Sequence, residues 1–150
     1  MTFGALAYPM SSTISIASDI LGTITVEPAS VLTFPRGLLG FPECRSFVLL
    51  PSEKIHVYWL QSVDYSSLAF LLVDPFVFFE GFTLDLGATD LHAASPDEVS
   101  VLAIVTLPAA PGESPTANLQ GPVVIHTGLG EGSQVVIAES SHGIRESFKL

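Results

Sequence analysis

The sequence predicts an all-β fold: a compact, single-domain, β-barrel-like roll of short, mostly antiparallel strands with little helix. Three observations carry this. Eight to ten apolar or alternating runs recur at about ten-residue spacing between Gly-, Pro- and polar-rich breaks. Little of the chain has the pattern of a helix, which should hold under about a fifth of it. The 150 residues are 48% apolar with a mean hydropathy of +0.54, enough for a real core in one domain. So apolar a chain needs a sheet buried on at least one face, or apolar surface reserved for a partner.

Residues 1–20 contain no Lys or Arg, so they lack the cationic region of a secretory signal. They are expected to be a loose tail, with the domain over 21–150. In Gly22–Pro28, Ile24 and Val26 alternate with Thr23, Thr25 and Glu27, the period of a half-buried strand. Val31–Phe34 continues the sheet until Pro35-Arg36-Gly37 breaks it, and Gly37–Glu43 is an apolar turn bracketed by Gly and Pro. Ser46–Leu50 is a short strand ended by Pro51. Ile55–Gln61 is another, with Ile55, Val57 and Trp59 on one face and His56, Tyr58 and Leu60 on the other. Leu68–Val73 is continuously apolar, as in a strand covered on both faces. Asp74-Pro75 stops it, because the residue before proline is held extended.

Phe76, Phe78, Phe79 and Phe82 form the densest aromatic cluster of the chain. On a strand, Phe76 and Phe78 would share a face with Phe79 opposite, making the segment part core and part contact surface. Ser95-Pro96-Asp97-Glu98 has a helix-start pattern, but Val99–Thr106 is β-branched, so a turn or two of helix should give way to a strand. Thr116–Gly121 reads as a polar turn, in which Asn118 can bond nearby backbone. Leu119 is an anchor, either into the core or into a partner. Pro122 opens the next strand, one of the few places where a sheet accepts a residue without an N–H. Pro122–Thr127 and Gln134–Glu139 are strands joined by the hairpin loop Gly128–Ser133, and Ile144–Leu150 ends with a short strand.

Charge narrows the function. Fifteen acidic residues against five basic ones give a formal net charge of −10. A phosphate backbone would be repelled, so no nucleic acid is expected. A basic protein would be attracted and steered. No run of 18 apolar residues exists, so no membrane span is expected. A lone Cys44 excludes an internal disulfide and fits a reducing cytoplasm.

Chemistry is sparse. His56, His92, His126 and His142 are scattered, none at metal-ligand spacing, so neither metal nor cofactor is expected. There is no G-x-S-x-G elbow and no phosphate-binding glycine loop. Asp64, Asp74, Asp85, Asp90 and Asp97 read as turn or surface carboxylates, and no catalytic residue stands out. An alternative remains: a small-ligand-binding or hydrolytic barrel using Asp74 and His126. A filled interior would argue against it, and an accessible polar pocket would argue for it.

Four segments in order carry a resemblance. Phe34-Pro-Arg-Gly37-Leu38-Leu-Gly40-Phe41 resembles an F-x-x-G-L-x-G-F motif, and Trp59-Leu60-Gln61-Ser62 resembles W-L-Q-S. Leu68-Ala69-Phe70 followed by Val73-Asp74-Pro75 resembles L-A-F and V-x-D-P, and Thr116-Ala117-Asn118-Leu119 with Pro122–Ile125 resembles T-A-N-L-x-x-P-I-V-I. These are motifs of the flagellar assembly factor FliW family. Leu39 stands where that family commonly has Pro, and Pro42 is inserted before the usual Glu. His126 replaces an Asn, and Gln120-Gly121 replaces a more basic pair.

The resemblance implies a cytoplasmic, non-enzymatic protein. It would bind flagellin before export and also bind CsrA, a basic RNA-binding regulator, relieving repression of flagellin translation. Gly37, Gly40, Trp59, Gln61, Asp74, Pro75, Thr116, Asn118 and Pro122 are its motif positions, expected to be structural. Phe78, Phe79 and Leu119, with the acidic Glu80, Asp85, Asp97 and Glu98, are the candidate partner contacts, the acids chosen because they flank the aromatic or turn segments.

Overall fold

A computed structural model describes residues 12–85, 98–137 and 142–150. Its strands are β1 (Ile14–Ser18), β2 (Gly22–Val26), β3 (Leu32–Thr33), β4 (Ser46–Pro51), β5 (Val57–Ser62), β6 (Ala69–Val73), β7 (Ser100–Thr106), β8 (Thr116–His126), β9 (Glu131–Gln134) and β10 (Glu146–Ser147). One helical turn, α1 (Pro75–Phe78), follows β6. Strands hold 45% of the structure and helix 7%, within the expected range.

The strands β3 to β9 pair in chain order, and β9 returns to β3, closing a seven-stranded barrel. All these pairs are antiparallel except β9–β3, which is parallel. β10 adds to the other side of β8. The hairpin β1–β2 stands apart as its own two-stranded sheet, tied to the barrel where Asp19 N–H donates to the Ser66 carbonyl at 2.9 Å.

Period-two alternation splits the apolar residues between two faces. Inside the barrel, Leu60, Leu72, Leu102, Val123 and Ile125 pack with Leu32, Phe34 and Phe47. On the outside, Val57, Leu71, Val73, Val105, Ala117 and Leu119 pack under Phe82 and Phe148. The strands β5 to β8 are thus apolar on both faces, which explains the unbroken run at Leu68–Val73.

Several expectations need correction. β1 lies within residues assigned to a loose tail, because Ile16 and Ser18 are buried and the strand pairs fully with β2. Residues 1–11 lie outside the described residues, as do Ser95, Pro96 and Asp97 of the helix-start pattern. The strand β8 begins at Thr116 rather than at Pro122, and its partner β9 begins at Glu131 rather than Gln134. The aromatic segment is helical, not extended. Asp74 Oδ1 accepts from Phe76 N–H at 2.9 Å with Pro75 at the first helical position, a capped start that breaks the two-residue alternation.

Gly132 sits on β9 where a side chain would run into the Phe34 ring. Gly132→Ala should therefore overpack the barrel and cost about 1–3 kcal/mol, read as a lower urea midpoint. An unchanged midpoint would show that the ring can move aside.

Candidate partner-binding site

The motif residues do structural work. Gly37 has a φ of 63°, and a Cβ there would meet the Phe41 carbonyl, so the turn after β3 needs glycine. Gly40, at φ 87°, sits in the same turn with open space around it. In Trp59-Leu60-Gln61-Ser62, Leu60 points into the barrel and Trp59 to the outer face. Gln61 is fully buried, and its Nε2 donates to the carbonyls of Ser62 (3.0 Å), Tyr65 (3.2 Å) and Leu68 (3.2 Å). Ser62 Oγ accepts from Tyr65 N–H at 3.0 Å. Together they hold the polar turn between β5 and β6. Gln61 Oε1 has no partner among the described residues.

The stretch Thr116–Ile125 is a strand with a kink. Opposite β7 the register passes from Leu102↔Val123 to Ile104↔Asn118, leaving Leu119 to Pro122 facing only Ala103. Such extra residues bend a strand and increase its twist. Pro122 is accepted there because the ladder is already broken. Asn118 Oδ1 accepts from Gln120 N–H (3.0 Å) and Gly121 N–H (2.9 Å), pairing two donors that the kink takes out of the sheet. The Gly121 carbonyl accepts from Gln134 Nε2 at 2.9 Å, and Gln134 Oε1 accepts from Leu39 N–H at 2.9 Å. Nothing in the sequence signalled Gln134, which joins the kink to the turn after β3. Asn118→Ala should leave those two donors unpaired and cost about 1–3 kcal/mol in a urea titration. A full-stability variant would remove Asn118 from the structural set.

The partner candidates fall differently. Leu119 is only 1% exposed and packs in the outer cluster, so of its two readings the core is the one this structure supports. Phe78 and Phe79 are half-buried, with ring centroids 5.5 and 5.3 Å from Phe148. The exposed members of that segment are Phe76 (54%) and Val77, which sequence alternation could not pick out once the segment turned helical. Glu80 and Asp85 are exposed. Asp97 lies outside the described residues. Glu98 Oε2 meets His126 Nε2 at 3.2 Å. His126 Nδ1 accepts from Leu129 N–H at 3.1 Å, which places the ring proton on Nε2. His126 so caps the β8–β9 turn.

Among the described residues, the barrel interior holds a packed apolar cluster around Phe34, Phe47, Leu60 and Leu72. Asp74 caps α1 and His126 pairs with Glu98, so the two residues of the hydrolytic alternative serve different places. Among the described residues no group of three His, Cys, Asp or Glu could hold a metal ion. Cys44 is buried, and burial, then the neighbouring Glu43 carboxylate, push its thiol pKa up. Thiol reagents should therefore modify the native chain slowly and the unfolded chain fast; rapid native labelling would contradict this placement.

What remains is the surface. A groove of about 610 Å³ lies on the outer face, with Val57, Trp59 and Leu71 in its floor and Leu21, Pro51, Leu107 and Leu150 around it. Ser52, Glu53 and Lys54 complete its edge. A second cavity of about 520 Å³ lies between the turn after β3 and β9. No helix among the described residues is long and apolar enough to cross a membrane.

Comparison with known proteins agrees with the motifs. The family model for FliW protein matches residues 15–148. The flagellar assembly factor FliW of Natranaerobius thermophilus is 37% identical over 131 residues, covering 85% of this chain and 87% of that protein. That of Moorella thermoacetica is 32% identical over 137 residues, covering 89% and 87%. A crystal structure of the flagellar assembly factor FliW superposes with a TM-score of 0.80 at 30% identity, over 89% of this chain and 96% of that one. This family is not one of enzymes. The chain belongs to the FliW family of flagellar assembly factors.

Proposed function

We propose that this flagellar assembly factor works in the cytoplasm by binding flagellin before export and by binding CsrA, which relieves repression of flagellin translation. The observation that carries the reading is the apolar packing of the barrel interior among the described residues. An interior packed with apolar side chains among the described residues supports a role played out on the outer surface. That surface offers what two unlike partners need. Net charge −10 favours a basic regulator, and exposed apolar side chains favour an amphipathic helix. Glu80, Asp85 and Glu98 are exposed contributors to the acidic field.

Co-purification of flagellin and of CsrA with the tagged protein tests the reading; recovery of neither would end it. Steering adds a kinetic signature. The CsrA association rate should fall as salt rises from about 0.05 to 0.5 M, because screening shortens the reach of exposed charges. Glu80→Lys should slow association at low salt. A rate indifferent to salt would show that the charge plays no part in encounter.

A further inference from the structure

Along β9 the main-chain groups of successive residues point to opposite sides. The odd-numbered residues turn theirs to β8. Glu131 and Ser133 lie opposite His126 and Val124, and past the strand Val135 N–H donates to the Pro122 carbonyl (2.9 Å) and Ile137 N–H to the Gln120 carbonyl (2.8 Å). The even-numbered residues therefore face β3, as the Gly130 carbonyl does in accepting from Thr33 N–H at 2.8 Å.

A continued parallel ladder would next need residue 35 to donate to the Gly132 carbonyl and to accept from Gln134 N–H. Residue 35 is a proline, which has no N–H, and the chain turns away there, Gly37 N–H closing on the Phe34 carbonyl at 2.9 Å. Among the described residues, neither the Gly132 carbonyl nor Gln134 N–H has a partner on that side. Gly132 is nonetheless buried, where main-chain polar groups are nearly always paired.

The space that the ladder vacates is the cavity of about 520 Å³ between the turn after β3 and β9. Residues 132–134 form one wall and Pro35 to Gly40 the other. Leu39 N–H, donating to Gln134 Oε1, ties the walls together at the Gln134 end. At the spacings of a packed sheet one strand residue takes up roughly 160 Å³, so the cavity has room for about three. The wall opposite β9 stands where the next strand of a second copy's sheet would have to lie, so a single chain fits and the edge of another sheet does not. Arg36 and Glu131 put one charge of each sign in the lining, so main-chain bonding rather than net charge selects the occupant.

We propose that this seam takes up a proline-free, extended segment of another polypeptide as a short strand parallel to β9. One residue of the segment donates its N–H to the Gly132 carbonyl and accepts from Gln134 N–H. Leu39, 61% exposed on the rim, covers a neighbouring apolar side chain of the segment. Such strand addition draws its affinity from main-chain bonds and tolerates many sequences. It depends on neither of the partners proposed above.

The test uses the full chain, labelled for amide NMR, and the peptide acetyl-Thr-Val-Thr-Val-Thr-amide as the probe. The Gln134 amide proton should move downfield and saturate, and its hydrogen exchange should slow about tenfold or more at saturation. The amides of Val135 and Ile137, already bonded to β8, should keep their exchange rates. The same peptide N-methylated at every residue lacks the donors and should not bind. Leu39→Asp should keep the wild-type melting curve and weaken binding about threefold or more, as loss of a rim contact does. Absence of saturation up to about 10 mM peptide, an affinity of barely −2.7 kcal/mol, would overturn the proposal. So would saturation that leaves the Gln134 amide unmoved, equal binding of the N-methylated peptide, or full affinity in Leu39→Asp.

Discussion

The structure depends on closing a barrel across a strand of two residues. β3 is only Leu32 and Thr33, and it meets β9 through a single parallel pair, Thr33 opposite Glu131. Thr33 N–H donates to the Gly130 carbonyl at 2.8 Å, but two residues later comes Pro35, which has no N–H to carry the ladder on. Side chains take over from backbone there. Gln134 reaches from β9 to Leu39 on one side and to Gly121 on the other. The Phe34 ring fills the space that Gly132 leaves, and meets Phe47 edge-on with centroids 5.2 Å apart. Closure removes the exposed edges that an open sheet would offer to other chains.

Closure also decides where function can lie. A small barrel has an interior about large enough for side chains, and here an apolar cluster of the described residues packs within it. The outer face of β5 to β8 then becomes a second core, covered by the α1 segment and by Phe148, whose N–H donates to the Pro115 carbonyl. Beside that cover, among the described residues, lies the groove lined by Val57, Trp59 and Leu71. Two forces with different ranges act on this surface. Exposed charges are screened over about 8 Å at physiological salt, so the acidic field chiefly governs encounter. Apolar burial acts only on contact and governs how long a partner stays.

The family's motif residues mark the fold more than the contacts. Gly37 permits a turn, Gln61 and Ser62 hold another, Asp74 caps α1, and Asn118 holds the kink in β8. Trp59 is the exception, since it packs on the outer cluster and also lies in the floor of the groove. Leu107 and Leu150 belong to no motif; they are exposed leucines brought beside Trp59 from distant parts of the chain.

The sequence by itself determined the class of the fold, its family and most of its strands. These depend on local pattern: alternation along Val57–Leu60, the apolar run to Val73, and breaks at Pro35, Pro51 and Pro75. The same local rules carried the turn role of Asn118. Tertiary structure decided the rest. Leu119 was an anchor with two possible targets, and only packing under Phe82 and Phe148 chose the core. Phe78 and Phe79 left alternating faces because the cap at Asp74 made a helical turn, a competition between two local signals that the packing on Phe148 accompanies. The partner of Gln134 lies 95 residues away at Leu39, and the groove joins segments from Leu21 to Leu150. Such juxtapositions arise from strand pairing over long separations, and no periodicity along a chain encodes which distant residues will meet.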